Sequence, residues 1–205
     1  MKTNLKTMLC VTVAVILTAG FASCGKDEPN NGGGSNNFTY NEHSYVIVKE
    51  KKNWQAAMED ARARGGYLVE IGGEDEQAAV WNAVKAAVSA TYTQVPDGGG
   101  VAYVWLGALD FYGEGEWIWN GDNESGDMPV FWIGGKNGTA IDYANWGEGE
   151  PDNFTDSSVS PNGQDFAAIA LEAWPQGSGS LGKAGQWNDL AGTDLLYYVV
   201  EFDKK

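Results

Sequence analysis

The sequence predicts an α+β domain. Two stretches near its start carry the helical period, and the remainder alternates short aromatic or β-branched runs with Gly-rich segments. Between Gly121 and Gln164 the chain is dense in Gly, Asn, Asp and aromatics. A loop of roughly forty residues is uncommon in a compact domain and marks a functional segment.

The elements follow in order. Tyr40 to Val48 is aromatic and β-branched and predicts a strand. Trp54, Ala57, Met58 and Ala61 recur at i, i+3, i+4 and i+7, which predicts a helix over 53–64. Gly65-Gly66 ends it, and Tyr67 to Ile71 follows as a short strand. Glu74-Asp75-Glu76 places acids where a helix dipole favours them, and Val80, Val84, Ala87 and Val88 give the buried stripe of a second helix over 74–90. Past Pro96 and Gly98-Gly99-Gly100 the pattern changes to strands: Tyr103 to Ala108, Trp117 to Trp119, Phe166 to Leu171 and Leu195 to Phe202. The first and last strands are expected to pair. Helices first and short strands afterwards give the α+β assignment.

Composition narrows the function. The chain has 205 residues and a formal charge of −15. So acidic a chain lacks the basic surface that displaces counterions from nucleic acid, and it has no electrostatic hold on anionic lipid. A single histidine, His43, leaves no paired-His metal motif; its place before a strand suits a surface role. No pair of carboxylates is marked out as a glycosidase pair, so an enzyme is not expected.

The first residues read as an address. Lys2 and Lys6 precede an apolar run from Met8 to Cys24, and Asp27 and Glu28 follow it. Residues 1–23 are expected to be a signal peptide, 24–37 a flexible Gly- and Asn-rich tether, and 38–205 one domain. Phe21-Ala22-Ser23-Cys24 resembles a bacterial lipobox, which implies lipid on Cys24. Cys24-Gly25-Lys26-Asp27-Glu28 resembles the surface-export signal of Bacteroidota lipoproteins, which implies display at the outer membrane or cell surface. Membrane attachment would then come only through the lipid. With Cys10 removed, Cys24 is the sole cysteine and no intramolecular disulfide forms.

An ordered set of motifs resembles the C-type lectin-like domain family. Trp54 to Leu68 is similar to its first helix and strand, and Val104-Trp105-Leu106-Gly107 to its Trp-Ile-Gly-Leu signature. Asn145 to Asn153, with Glu150-Pro151-Asp152, resembles the loop bearing its Glu-Pro-Asn sugar motif. Gln186-Trp187-Asn188-Asp189 resembles its Trp-Asn-Asp strand, and Tyr197 to Glu201 its closing strand. The departures are the missing disulfides and an insertion around Phe131 to Ile141. Trp54, Trp105, Trp119, Trp146 and Trp187 match core positions.

The resemblance implies calcium held by Glu150, Asp152, Asn188 and Asp189, with a cis bond before Pro151 turning the flanking side chains toward one point. These are hard oxygen donors, the kind calcium takes. Gln164 stands where the family has a further acidic ligand, with Asp165 as the alternative. The implied ligand is a glycan or glycoprotein. Glu150 and Asp152 would accept from one sugar hydroxyl, and Gln164 and Asn188 would donate to the other. That pattern licenses neither mannose nor galactose, and its donor pair would suit a ligand carboxylate. Trp174, in the Gly-rich segment 173–185, either stacks on a sugar face or caps its own loop. Glu114, Glu116, Asp122 and Glu124 read as a solvated acidic loop, and the Asn-x-Ser/Thr triplets at Asn123, Asn137 and Asn153 as accidental. The competing function is a protein-binding adhesin or structural module on the same fold.

Overall fold

The computed structural model describes residues 35–204 apart from 123, 125 and 127. The signal peptide, most of the tether and Cys24 lie outside the described residues.

A hairpin opens the domain. β1 (Asn37–Tyr40) and β2 (His43–Lys52) pair antiparallel around Asn41-Glu42, both at positive φ (43° and 73°). The single strand expected over Tyr40 to Val48 is therefore two. A two-residue turn with both residues left-handed suits the twist of a hairpin. The Ile47 amide also donates to the Asn36 carbonyl, so the sheet begins just inside the segment expected as tether.

α1 (Trp54–Ala63) starts at Asn53, whose side chain accepts from the Ala56 amide at 2.8 Å. Such a cap contributes about 1 kcal/mol. β3 (Tyr67–Leu68) is shorter than expected. α2 (Glu74–Ala87) ends three residues early, where Val88 turns extended and the Ser89 hydroxyl takes the Thr91 amide.

The sheet is completed by β4 (Tyr103–Leu109), β5 (Glu116–Trp119), β6 (Val130–Ile133), β7 (Thr139–Ala140), β8 (Phe166–Ala170), β9 (Trp187–Leu190) and β10 (Leu196–Phe202). Its order is β1-β2-β10-β4-β5-β6-β7, with β3 on β10, and β8 between β4 and β9. The terminal strands pair as expected, Val199 opposite Ile47 and Glu201 opposite Tyr45. β6 and β7 form a hairpin where the sequence showed only a Gly-rich insertion.

The two helices take opposite faces. Val104, Leu106, Ala108 and Val199 lie in the core that holds Val80 and Val84 of α2. Tyr103, Trp105, Tyr198 and Val200 lie in the core that holds Trp54, Met58 and Ala61 of α1. β4 is therefore buried at every residue, which explains why its sequence is a continuous apolar run instead of an alternation. The five tryptophans expected in the core are all buried. At the start of β8, the Phe166 ring lies against Gly192, where a Cβ would come within 2.3 Å of it. That contact ties β8 to the turn between β9 and β10.

Candidate functional site

The site is built where β9 meets the segment 145–165. β9 lies against β8, Asp189 opposite Ala167 and Asn188 opposite Ala168, so both side chains have fixed origins. Asp189 is fully buried, and its carboxylate receives the Asn153 amide at 2.7 Å and the Asp152 amide at 3.3 Å. One side chain thus holds the backbone that follows Pro151. The Glu150–Pro151 bond is cis, in line with what the family resemblance implied. Asn153 has a φ of 48°; its side chain accepts from the Gln164 amide and donates to Glu114, both at 2.7 Å.

Glu150 is 3% exposed. Its Oε1 accepts from the Trp174 indole at 3.0 Å, while its Oε2 is buried with no partner. One oxygen each from Glu150, Asp152 and Asp189 can be chosen so that all three lie within 4.8 Å of one another. Burial pushes Glu150 up to about 7, the Asp152 charge adds to this, and the Trp174 bond and Lys136 act against it. Asp189 is pushed well above the carboxylate range by burial and then by the Glu150 charge. Asp152 is raised by burial, against Lys136 and the Phe154 amide. Three carboxylates with one orphaned, buried oxygen form a site short of positive charge. Its donors are hard oxygens, and a calcium ion fits the need of the orphaned oxygen.

The other expected residues are placed differently. Trp174 is 1% exposed, and its ring sits where Cβ atoms on Gly147 and Gly182 would collide with it, at 2.4 and 2.0 Å. It is a buried cap that fixes Glu150, and stacking on a sugar face is ruled out by its burial. Gln164 is also buried: its Oε1 accepts from the Phe154 amide, and its Nε2 donates to the carbonyl and Oδ2 of Asp97. It is spent inside the protein and does not serve as the expected donor. Asp165 lies outside the carboxylate triad. Asn188 lines the recess but gives one amide hydrogen to the Tyr103 hydroxyl at 3.1 Å. The donor pair that would have suited a ligand carboxylate is therefore not assembled. Glu114 is engaged by Asn153, and His43 binds Glu201 at 2.7 Å, away from the site.

A recess of about 200 Å³ is lined by Glu150 and Asp152 of the triad, by Asp97 and Asn188, and by Phe154, Leu181 and Pro175. Sequence reasoning missed Asp97 and Phe154. Pro96-Asp97-Gly98 reads only as a turn, and nothing local marks Asp97 as the partner of a residue 67 positions away.

These features place the chain among known proteins. No family model matches it. A perlucin-like protein of Mytilus galloprovincialis is 25% identical over 161 residues, covering 78% of this chain and 76% of its own length. Human collectin-10 is 29% identical over 164 residues, 80% of this chain but 43% of the collectin. Among solved structures, the carbohydrate-recognition domain of the human scavenger receptor C-type lectin superposes with a TM-score of 0.55 at 24% identity, covering 82% of this chain and 96% of that one. The cow C-type carbohydrate-recognition domain of CD23, solved in the presence of GlcNAc2Man3 oligosaccharide, gives 0.53 at 21% identity, covering 89% and 99%. The chain has the C-type lectin fold. Its relatives in sequence support a place among C-type lectin-like domains.

Proposed function

We propose that this domain is a calcium-dependent glycan-binding module, held at a cell surface by lipid on Cys24. The observation that carries the metal is the buried, unpartnered Oε2 of Glu150 beside Asp152 and Asp189. Left without a cation, the three carboxylates repel one another, and two of them, Glu150 and Asp189, are shut off from solvent. Glu150, Asp152, Asp189 and the side-chain oxygen of Asn188 would hold calcium, which would present open coordination positions to a sugar diol. The relatives and fold neighbours, several of them named as lectins or carbohydrate-recognition domains, support the glycan.

The test is a calorimetric calcium titration followed by a glycan array with and without chelator. Binding that survives chelation would refute calcium dependence, and an empty array would refute the glycan. Asp152→Asn restores the Glu-Pro-Asn motif; mannose-type binding is expected to strengthen if calcium is retained. For the anchor, Cys24→Ala should abolish labelling by a fatty-acid probe and release the protein from membranes.

A protein-binding role on the same fold is favoured by one feature. Phe111 and Tyr112 stand 63% and 62% exposed on the turn after β4. Loss of partner binding in Phe111→Ser, with calcium and glycan responses absent in the wild type, would establish that reading instead.

A further inference from the structure

A second cavity, of about 330 Å³, shares no lining residue with the recess beside the triad. Its size falls at the small end of ligand pockets, ~300–1,000 Å³. Six aromatic side chains line it: Tyr40, Tyr45, Tyr67, Trp119, Phe131 and Tyr143. Tyr40, Tyr67 and Tyr143 are half-buried, so each keeps some surface open.

Four carboxylates share this lining, Glu70, Glu76, Asp142 and Glu201, with His43 as its one basic side chain. Their charge is therefore not cancelled inside the cavity. Burial pushes Glu70 up to about 7 against the Gly121 amide, and the Glu201 charge adds to the rise. Glu201 is itself raised by burial and by the Glu76 charge, against the Glu70 amide and His43.

The hydrogen-bonding capacity of the same carboxylates is largely taken. Glu76 receives the Tyr45 hydroxyl at 2.6 Å and the Gly72 amide at 2.9 Å. Glu201 is bound by His43 at 2.7 Å and receives the Glu70 amide at 3.1 Å. Glu70 receives the Gly121 amide at 2.8 Å, and Asp142 the Tyr143 amide at 2.7 Å. Nor do these oxygens converge. Among the described residues, only Glu150, Asp152 and Asp189 bring three such ligand atoms within 4.8 Å of one another. A compact metal ion needs that convergence. The cavity instead offers dispersed negative charge and aromatic rings, with few acceptors left for an N–H. A bulky cation that carries methyl groups in place of N–H donors meets all three conditions, since its diffuse charge is attracted by ring faces.

From this we infer that the cavity binds a small quaternary ammonium compound, its trimethylammonium group held among the tyrosines and carboxylates. The inference does not depend on the calcium–glycan reading.

Choline is the probe, titrated by calorimetry into the full chain. It is expected to bind, and its neutral isostere 3,3-dimethylbutan-1-ol to bind at least about tenfold more weakly, because it has the shape without the charge. Ethanolamine, which needs acceptors for its N–H groups, is expected to bind more weakly than choline. So is phosphocholine, whose phosphate would meet the carboxylates. Glu70→Gln and Tyr143→Leu should each weaken choline about tenfold, the first through charge and the second through the ring. Both positions are half-buried, and either variant carries the measurement should the other fold poorly. Absence of choline binding, equal binding of the neutral isostere, or tighter binding of phosphocholine would overturn the assignment. So would choline affinity unmoved by both variants, which would place the ligand elsewhere. Displacement of choline by calcium in Glu150→Gln protein would mark the cavity as a metal site and overturn it as well.

Discussion

Asp60 and the triad of Glu150, Asp152 and Asp189 treat negative charge in opposite ways. Asp60, on α1, is met by Lys52 at 2.9 Å, by Arg64 and by the Tyr198 hydroxyl. Partial burial would raise its carboxyl, but the bonds from Arg64, Tyr198 and Lys52 outweigh this and hold it well below the usual range. The triad receives backbone amides and one indole, and burial keeps its members high. The chain neutralises the carboxylate that joins α1 to the sheet. It gives the triad no cation in direct contact, and there an external cation can do what Lys52 and Arg64 do at Asp60.

The largest effect that sharpens this contrast is the calcium response. An ion bound to the folded state alone should stabilise it by about 2.7 kcal/mol at a hundredfold excess over Kd. Thermal melts in millimolar calcium are expected to show the rise, magnesium a much smaller one, and Glu150→Gln none. An unmoved melting temperature in wild type would break the comparison at its root.

Next comes Asp60→Ala. Removing an acceptor shared by three donors should cost about 2 kcal/mol in urea unfolding. The loss is expected to be equal with and without calcium, since this carboxylate already has its cations. A loss that calcium repairs would mean the two regions are coupled.

Trp174→Phe removes the one side-chain donor to Glu150 and keeps an aromatic ring between Gly147 and Gly182. The expected cost is about 1 kcal/mol in calcium-free protein, measured by urea unfolding. Calcium affinity should fall as well, because Glu150 loses the bond that aims it.

The smallest effect is in pH, and its sign differs between the regions. Asp60, lowered on folding, contributes stability that is present above its unfolded pKa and is lost as the medium becomes strongly acidic. Glu150, raised to about 7, contributes stability that is full below its unfolded pKa and is lost as pH rises through 7. Asp194 has the same sign, pushed to about 8 by burial and by the charge of Asp97. Calcium-free melting temperatures should therefore decline from pH 5 to pH 8, and Glu150→Gln should flatten that decline. A rise over this interval would contradict the account of the triad.

Much of this architecture was legible in the chain because its signals are local. The i, i+3, i+4 stripe of Trp54 to Ala61, the acids before α2 and the unbroken apolar run of β4 each report burial from within one element. The Asn41-Glu42 hairpin escaped because Glu is a poor marker of a left-handed turn, and β6–β7 because Gly134, Gly135 and Gly138 mask so short a hairpin. In the site, Glu150, Asp152, Asn188 and Asp189 could be listed from their order along the chain. The fate of Gln164 and Trp174 could not, since it depends on Asp97 and on the space at Gly147 and Gly182. Exposure and hydrogen-bond partners of loop side chains are properties of the assembled fold.

The ring of Phe166 above Gly192 imposes an order on change. With Phe166 in place, a Cβ at 192 would meet its ring, so substitutions there should be depleted in a saturation-mutagenesis scan unless the ring swings aside. Once 166 has become small, 192 is released, and residues disfavoured in the parent background become easier to admit. The two sites are thus epistatic with a preferred direction: enlarging 192 is easier after shrinking 166, and once 192 is large the phenylalanine is harder to recover than the glycine.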